Sequence, residues 1–65
     1  MTIRQFLSAL NSNMIICTIL DKNDNVIVEN NAKFILNSEH YKETVDSEIM
    51  AWDIYDDGTL MICID

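Results

Sequence analysis

The residues with reactive side chains are few: one histidine, two cysteines and eleven Asp and Glu carboxylates in 65 residues. A nucleophilic thiol needs a base within hydrogen-bond reach and a lowered pKa. Cys17 and Cys63 instead lie inside apolar runs, Ile15-Ile16-Cys17 and Met61-Ile62-Cys63. His40 is distant in sequence from both, set among Glu39, Tyr41 and Glu43. This distribution predicts reduced, inert thiols and a solvent-facing imidazole, so no catalytic residue is expected and the protein is read as not an enzyme. Asp21-x-Asn23-x-Asn25 has the opening spacing of a calcium-binding loop, but Val26 stands where glycine must make the sharp turn and Ala32 where a bidentate glutamate must close the shell. The cluster is read as a turn. No Cys-x-x-Cys or Cys/His pairing supports zinc, and no cofactor or metal is expected.

The carboxylates are the more informative group. Against four Lys and Arg they give a net charge of −7, which excludes a basic nucleic-acid binder, because nothing could neutralise a run of phosphates. The excess is uneven. Residues 1–32 carry Asp21, Asp24 and Glu29 against Arg4 and Lys22, a net of −1, and residues 33–65 carry the remaining −6. An acidic half of this kind keeps an apolar protein in solution and also attracts a basic protein partner. Asp53 is singled out because it falls within a strand rather than a turn.

These side chains must be positioned by a short chain with a large apolar share. Hydrophobic residues are 49% of the sequence, enough for a folded single domain spanning residues 1–65 despite the charge. Thr2 with Gln5 makes a capping box, and Ile3, Phe6, Leu7 and Leu10 fall on one stripe, predicting a helix over 2–11 before Asn11-Ser12-Asn13. Met14 to Leu20 and Val26 to Glu29, around a polar turn, predict a hairpin. Asn30-Asn31 can cap a second helix over 32–38, and 40–46 reads as a polar connection. Strands over 48–56 and 59–64 flank Asp56-Asp57-Gly58, a strong turn signal because glycine accepts positive φ. The order is αββαββ. The fold class expected is α+β, with a four-stranded, mostly antiparallel sheet carrying two helices on one face. Trp52 alternates with Met50 and Ile54 and is expected in the core.

One layer of helices leaves the other sheet face uncovered. Ala51, Asp53, Tyr55, Thr59, Met61 and Cys63 are expected there, with Ile27 and Glu29 if Val26 and Val28 point inward. The first strand is apolar on both parities, Ile15, Cys17 and Ile19 against Met14, Ile16 and Leu20, which suggests that both faces are covered. Domains of about 60 residues are marginal alone, and with no disulfide or metal, association is the remaining source of stability. A homodimer through the open face is therefore expected. The candidate interaction surface is Ile27, Glu29, Asp53, Tyr55, Asp56, Asp57 and Met61, with Tyr55 as an anchor carrying a polar tip.

The capped opening Thr2-Ile3-Arg4-Gln5-Phe6-Leu7, the two hairpins and the closing Asp56-Asp57-Gly58-Thr59-Leu60-Met61-Ile62 resemble short acidic proteins of unknown function carried by phages and integrative elements of low-GC Gram-positive bacteria. That resemblance transfers no catalytic residue. It implies an accessory or counter-defence role, such as that of anti-CRISPR or anti-restriction proteins, several of which are small and acidic and occupy a basic nucleic-acid-binding surface. The expectation is a non-enzymatic protein-interaction domain. The alternatives are an acidic nucleic-acid mimic acting on a basic host protein and, third, a small ligand-binding domain or enzyme. The N-terminal residues lack a signal-peptide pattern and the longest apolar run is too short to span a bilayer, so a cytoplasmic protein without membrane contact is expected.

Overall fold

Thr2 opens the first helix as its sequence requires. Its hydroxyl accepts from the Gln5 N–H at 3.2 Å, and the Gln5 side chain accepts from the Thr2 N–H at 2.9 Å. In a computed structural model of residues 1–65, this helix, α1, covers Ile3–Ser8 and stops at Ala9, shorter than the apolar stripe predicts. The Leu10 N–H already turns back to the Leu7 carbonyl, tightening the last turn ahead of the turn-forming Asn11-Ser12-Asn13.

The chain then forms strands β1 (Ile16–Leu20) and β2 (Val26–Asn31), helix α2 (Ala32–Asn37), a 3₁₀ turn over Glu39–Tyr41, helix α3 (Lys42–Val45), and strands β3 (Ile49–Ile54) and β4 (Leu60–Ile64). Asn31 both ends β2 and caps α2, its side chain accepting from the Phe34 N–H at 2.8 Å. The residues before β1 complete the cap, since Asn13 and Ile15 carbonyls accept from Lys33 and Ala32. The polar connection expected over 40–46 instead holds the 3₁₀ turn and α3. Four helical residues are too few to show a period, and only Val45 is fully buried among them.

The four strands lie in the order β2-β1-β4-β3. The hairpin partners pair antiparallel, but β1 and β4 pair parallel, with Thr18 beside Met61 and Ile19 beside Ile62. The sheet is thus mixed: the expected α+β class, both hairpins and the largely antiparallel character hold, with two of three pairings antiparallel, whereas the parallel pairing at the centre and the third helix differ from the expectation. Two hairpins can meet through either outer strand, and local patterning does not choose between them. Pairing the first strand with the last puts the two most apolar strands at the centre.

All three helices cover the same side. Ile3 and Leu7 from α1, Ala32 and Ile35 from α2 and Val45 from α3 are buried with Cys17, Ile19, Val28, Leu60, Ile62 and Ile64 in one core cluster. This resolves the first strand: Cys17 and Ile19 face the helices, and Ile16, Thr18 and Leu20 face away. No helix is long and apolar enough to cross a membrane.

The two hairpin turns are built alike. Asp21 bonds to Asn25 through its N–H and to Asp24 through its carbonyl, and Tyr55 bonds to Thr59 and Gly58 in the same manner. The fourth residue of each is left-handed, Asp24 at φ 64° and Gly58 at φ 87°. Glycine takes that conformation without steric cost, whereas an L side chain is strained. Asp24→Gly is therefore expected to stabilise the fold by about 0.5–1 kcal/mol, and Gly58→Ala to destabilise it by about 1 kcal/mol although a Cβ there meets open space. Paired urea titrations check both signs.

Candidate functional site

The side of the sheet away from the helices can be read from the pairing register as rows. Glu29, Thr18, Met61 and Asp53 form the middle row, crossing β2, β1, β4 and β3 in turn. On one side of it lie Leu20, Cys63 and Ala51, and on the other Ile16 with Asn31 and Tyr55 with Thr59. The expected surface residues Glu29, Asp53, Tyr55 and Met61 are brought together here. Ile27 is placed differently from its parity, at the irregularity between Ile19 and Leu20, half-buried and packed against the core. Asp56 and Asp57 form the exposed tip of the second hairpin, at the margin of this face.

The polar groups on the face have assigned partners. The Glu29 carboxylate accepts from the Thr18 hydroxyl at 2.5 Å across the strands. The Tyr55 hydroxyl donates to the Met61 sulfur at 3.1 Å, laying the ring along the face. Asp53 turns back on its own strand and accepts from the Ile54 N–H at 2.8 Å. What remains toward solvent is an apolar centre, Leu20, Met61 and Cys63, with one carboxylate at each lateral edge.

Trp52 is not in the core. It lies opposite Ile62 on the helix side of the sheet, yet is 53% exposed, because β3 is the outermost strand and the short helices do not reach over it. Phe6 of α1 meets it, with ring centroids 5.2 Å apart. Alternation correctly gave the side of the sheet on which Trp52 stands. It carried no information on whether anything covered that part of the side. Met50 and Ile54 are exposed with it.

The titratable groups divide between structure and surface. Burial pushes the Cys17 thiol up to about 12, which keeps it protonated. Cys63 is half-buried on the opposite side of the sheet, so the two thiols face apart and both are free. His40 is exposed and packs edge-on against Tyr41 with centroids 4.7 Å apart. No group of three His, Cys, Asp or Glu side chains is arranged to hold a metal ion. The cluster with calcium-like spacing is a turn: Asp21 accepts from the Asn23 and Asn25 N–H groups at 2.8 and 3.0 Å. Those backbone hydrogen bonds, Asn25 foremost, hold its carboxyl below the usual carboxylate value, and the Thr59 N–H does the same for Asp57.

Compared with protein-family models, curated proteins and solved structures, the chain matches none.

Two measurements check this arrangement. A carboxyl whose pKa is lowered by folding adds stability above its unfolded pKa and loses it as pH falls through the folded value. Both hairpin turns are thus expected to lose stability together as pH drops below the ordinary carboxylate range, and Asp21→Asn is expected to flatten that dependence. In thiol labelling of the native protein, Cys63 is expected to react and Cys17 to stay protected until unfolding. Equal rates would contradict the side assigned to β1.

Proposed function

We propose that the protein is a non-enzymatic interaction domain that pairs with a second copy of itself through the helix-free face of its sheet. The observation that supports this reading is the apolar centre of that face, Leu20, Met61 and Cys63 on the two central strands, with no helix above it. Strands that are apolar on both parities, as β1 and β4 are, belong characteristically to sheets covered on both sides. The opposite side has its three helices and eleven buried residues. A second copy is the simplest cover, since two-fold pairing joins like patches without a second gene product. In the accessory role implied by the sequence resemblance, such a dimer acts by occupying a partner rather than by transforming one.

Charge sets the condition under which the pairing forms. Two copies of net charge −7 repel, and each brings Glu29 and Asp53 to the lateral edges of the contact. Salt screens charges beyond a Debye length of about 10 Å at 0.1 M, so self-association is expected to tighten as salt is added.

Sedimentation equilibrium tests the reading. A dimer is expected at micromolar concentration, and Ala51→Arg, at an exposed position on the face, is expected to weaken it at least tenfold with an unchanged circular dichroism spectrum. Cys63 labelling is expected to slow as the protein is concentrated. A wild-type monomer at micromolar concentration in high salt overturns the proposal.

A further inference from the structure

Strand β3 ends the sheet, and its outer edge is only partly covered. Near its start the N-terminal residues run alongside it, with the Ile49 N–H donating to the Met1 carbonyl and the Ile3 N–H to the Ser47 carbonyl. Beyond Met50 no segment lies on that edge. The direction of its backbone groups follows from the ladder. Tyr55 donates to Thr59, so Asp53 opposite Met61 and Ala51 opposite Cys63 are the pairs that exchange hydrogen bonds with β4. Trp52 and Ile54 alternate with them and direct their N–H and C=O groups outward. The Ile54 N–H is capped by the Asp53 carboxylate, which leaves the Trp52 N–H and C=O and the Ile54 C=O as a template for another strand.

Next to this edge, on the helix side, is a cleft of about 400 Å³ lined by Met1, Phe6, Ile49, Met50, Ala51 and Trp52, all apolar. On the other side of the strand is Asp53. Carboxylates dominate the charge around it. From Glu43 to Asp65 there are seven carboxylates and no lysine or arginine, and the two cations paired with them from elsewhere, Arg4 and the N-terminal ammonium of Met1, are spent on Asp46 at 2.9 Å and on Glu48 at 2.7 Å.

We propose that the outer edge of β3 takes an added strand from another protein, an extended segment in which apolar side chains alternate with lysine or arginine. Added strands are held by main-chain hydrogen bonds and selected by where their alternate side chains fall. Here one parity enters the apolar cleft beside Trp52 and the other lies along Asp53 and the acidic hairpin. A second copy of this chain fits less well, because its own β3 brings another carboxylate and no cation. This edge is distinct from the face proposed for pairing and does not depend on it.

Trp52 is the only tryptophan and reports occupancy directly. The probe is a short end-blocked peptide alternating lysine and valine, titrated into the wild-type protein at submicromolar concentration and low salt, where pairing through the open face is weakest. A saturable blue shift of Trp52 emission is expected, with perturbed amide resonances at Trp52 and Ile54. It is expected to disappear when the peptide amides facing β3 are methylated, and to be absent for a peptide with glutamate in place of lysine. Asp53→Asn, which keeps an acceptor for the Ile54 N–H, is expected to weaken binding about fivefold at low salt, the effect of one solvent-screened charge at about 4 Å. Added salt is expected to weaken this binding, opposite to its effect on pairing through the open face, so the two proposals fail separately. Absence of a saturable response, or binding that survives amide methylation or glutamate replacement, overturns the strand-addition site. Self-association of the wild-type protein with the same Trp52 shift assigns the edge to a second copy and overturns it as well.

Discussion

The parallel pairing of β1 with β4 is the constraint on which the rest of the fold depends. It joins two hairpins that would otherwise be separate two-stranded ribbons, which are marginal in water. It also places the strands with the densest apolar content side by side, so that Cys17, Ile19, Leu60 and Ile62 form a continuous floor beneath the helices. Because the two strands are the first and last of the chain, closing this pair carries α2 and α3, which connect the hairpins, across one side of the sheet, and α1, which precedes β1, packs on that side with them to form one core.

The same constraint produces the two unfinished surfaces. Central strands that are apolar on both parities need cover on both sides, and a chain of 65 residues supplies helices for one. The helices are also short, four to six residues each, so their cover extends over the centre of the sheet and not over β3. Trp52 and its neighbours are left exposed by distance from the helices, whereas Met61 and Cys63 are left by topology. These are different physical situations. An uncovered central face presents side chains and favours flat packing, while an uncovered edge also presents unpaired backbone groups and favours strand addition.

Charge and turns are handled locally. Asp21 and Asp57 are committed to the N–H groups of their own turns, Asp53 to the next residue of its strand, and Glu29 to Thr18. The net charge therefore measures two things at once: carboxylates used as backbone caps, and a field around the second hairpin that no cation offsets. The uneven distribution along the chain survives in space because β3, β4 and their turn are contiguous.

Much of this was legible in the residues. The capping box at Thr2, the caps at Asn31, both turns and the alternation of β4 depend on interactions within a few residues, and short-range chemistry can be read from a string. The open-face positions of Glu29, Asp53, Tyr55 and Met61 followed from strict alternation. Ile27 did not follow, because an irregular pairing shifted it, and α3 did not, because four residues show no period. The parity of β1 was undecidable from its sequence, since both sets are apolar. The sequence by itself determined the local elements, their apolar faces and where the charge lies. Only the tertiary structure decided that β1 meets β4, which side of β1 is buried, and that Trp52 stands beyond the helices. Those outcomes depend on which distant segments meet and how far they reach, and no spacing along the chain encodes either.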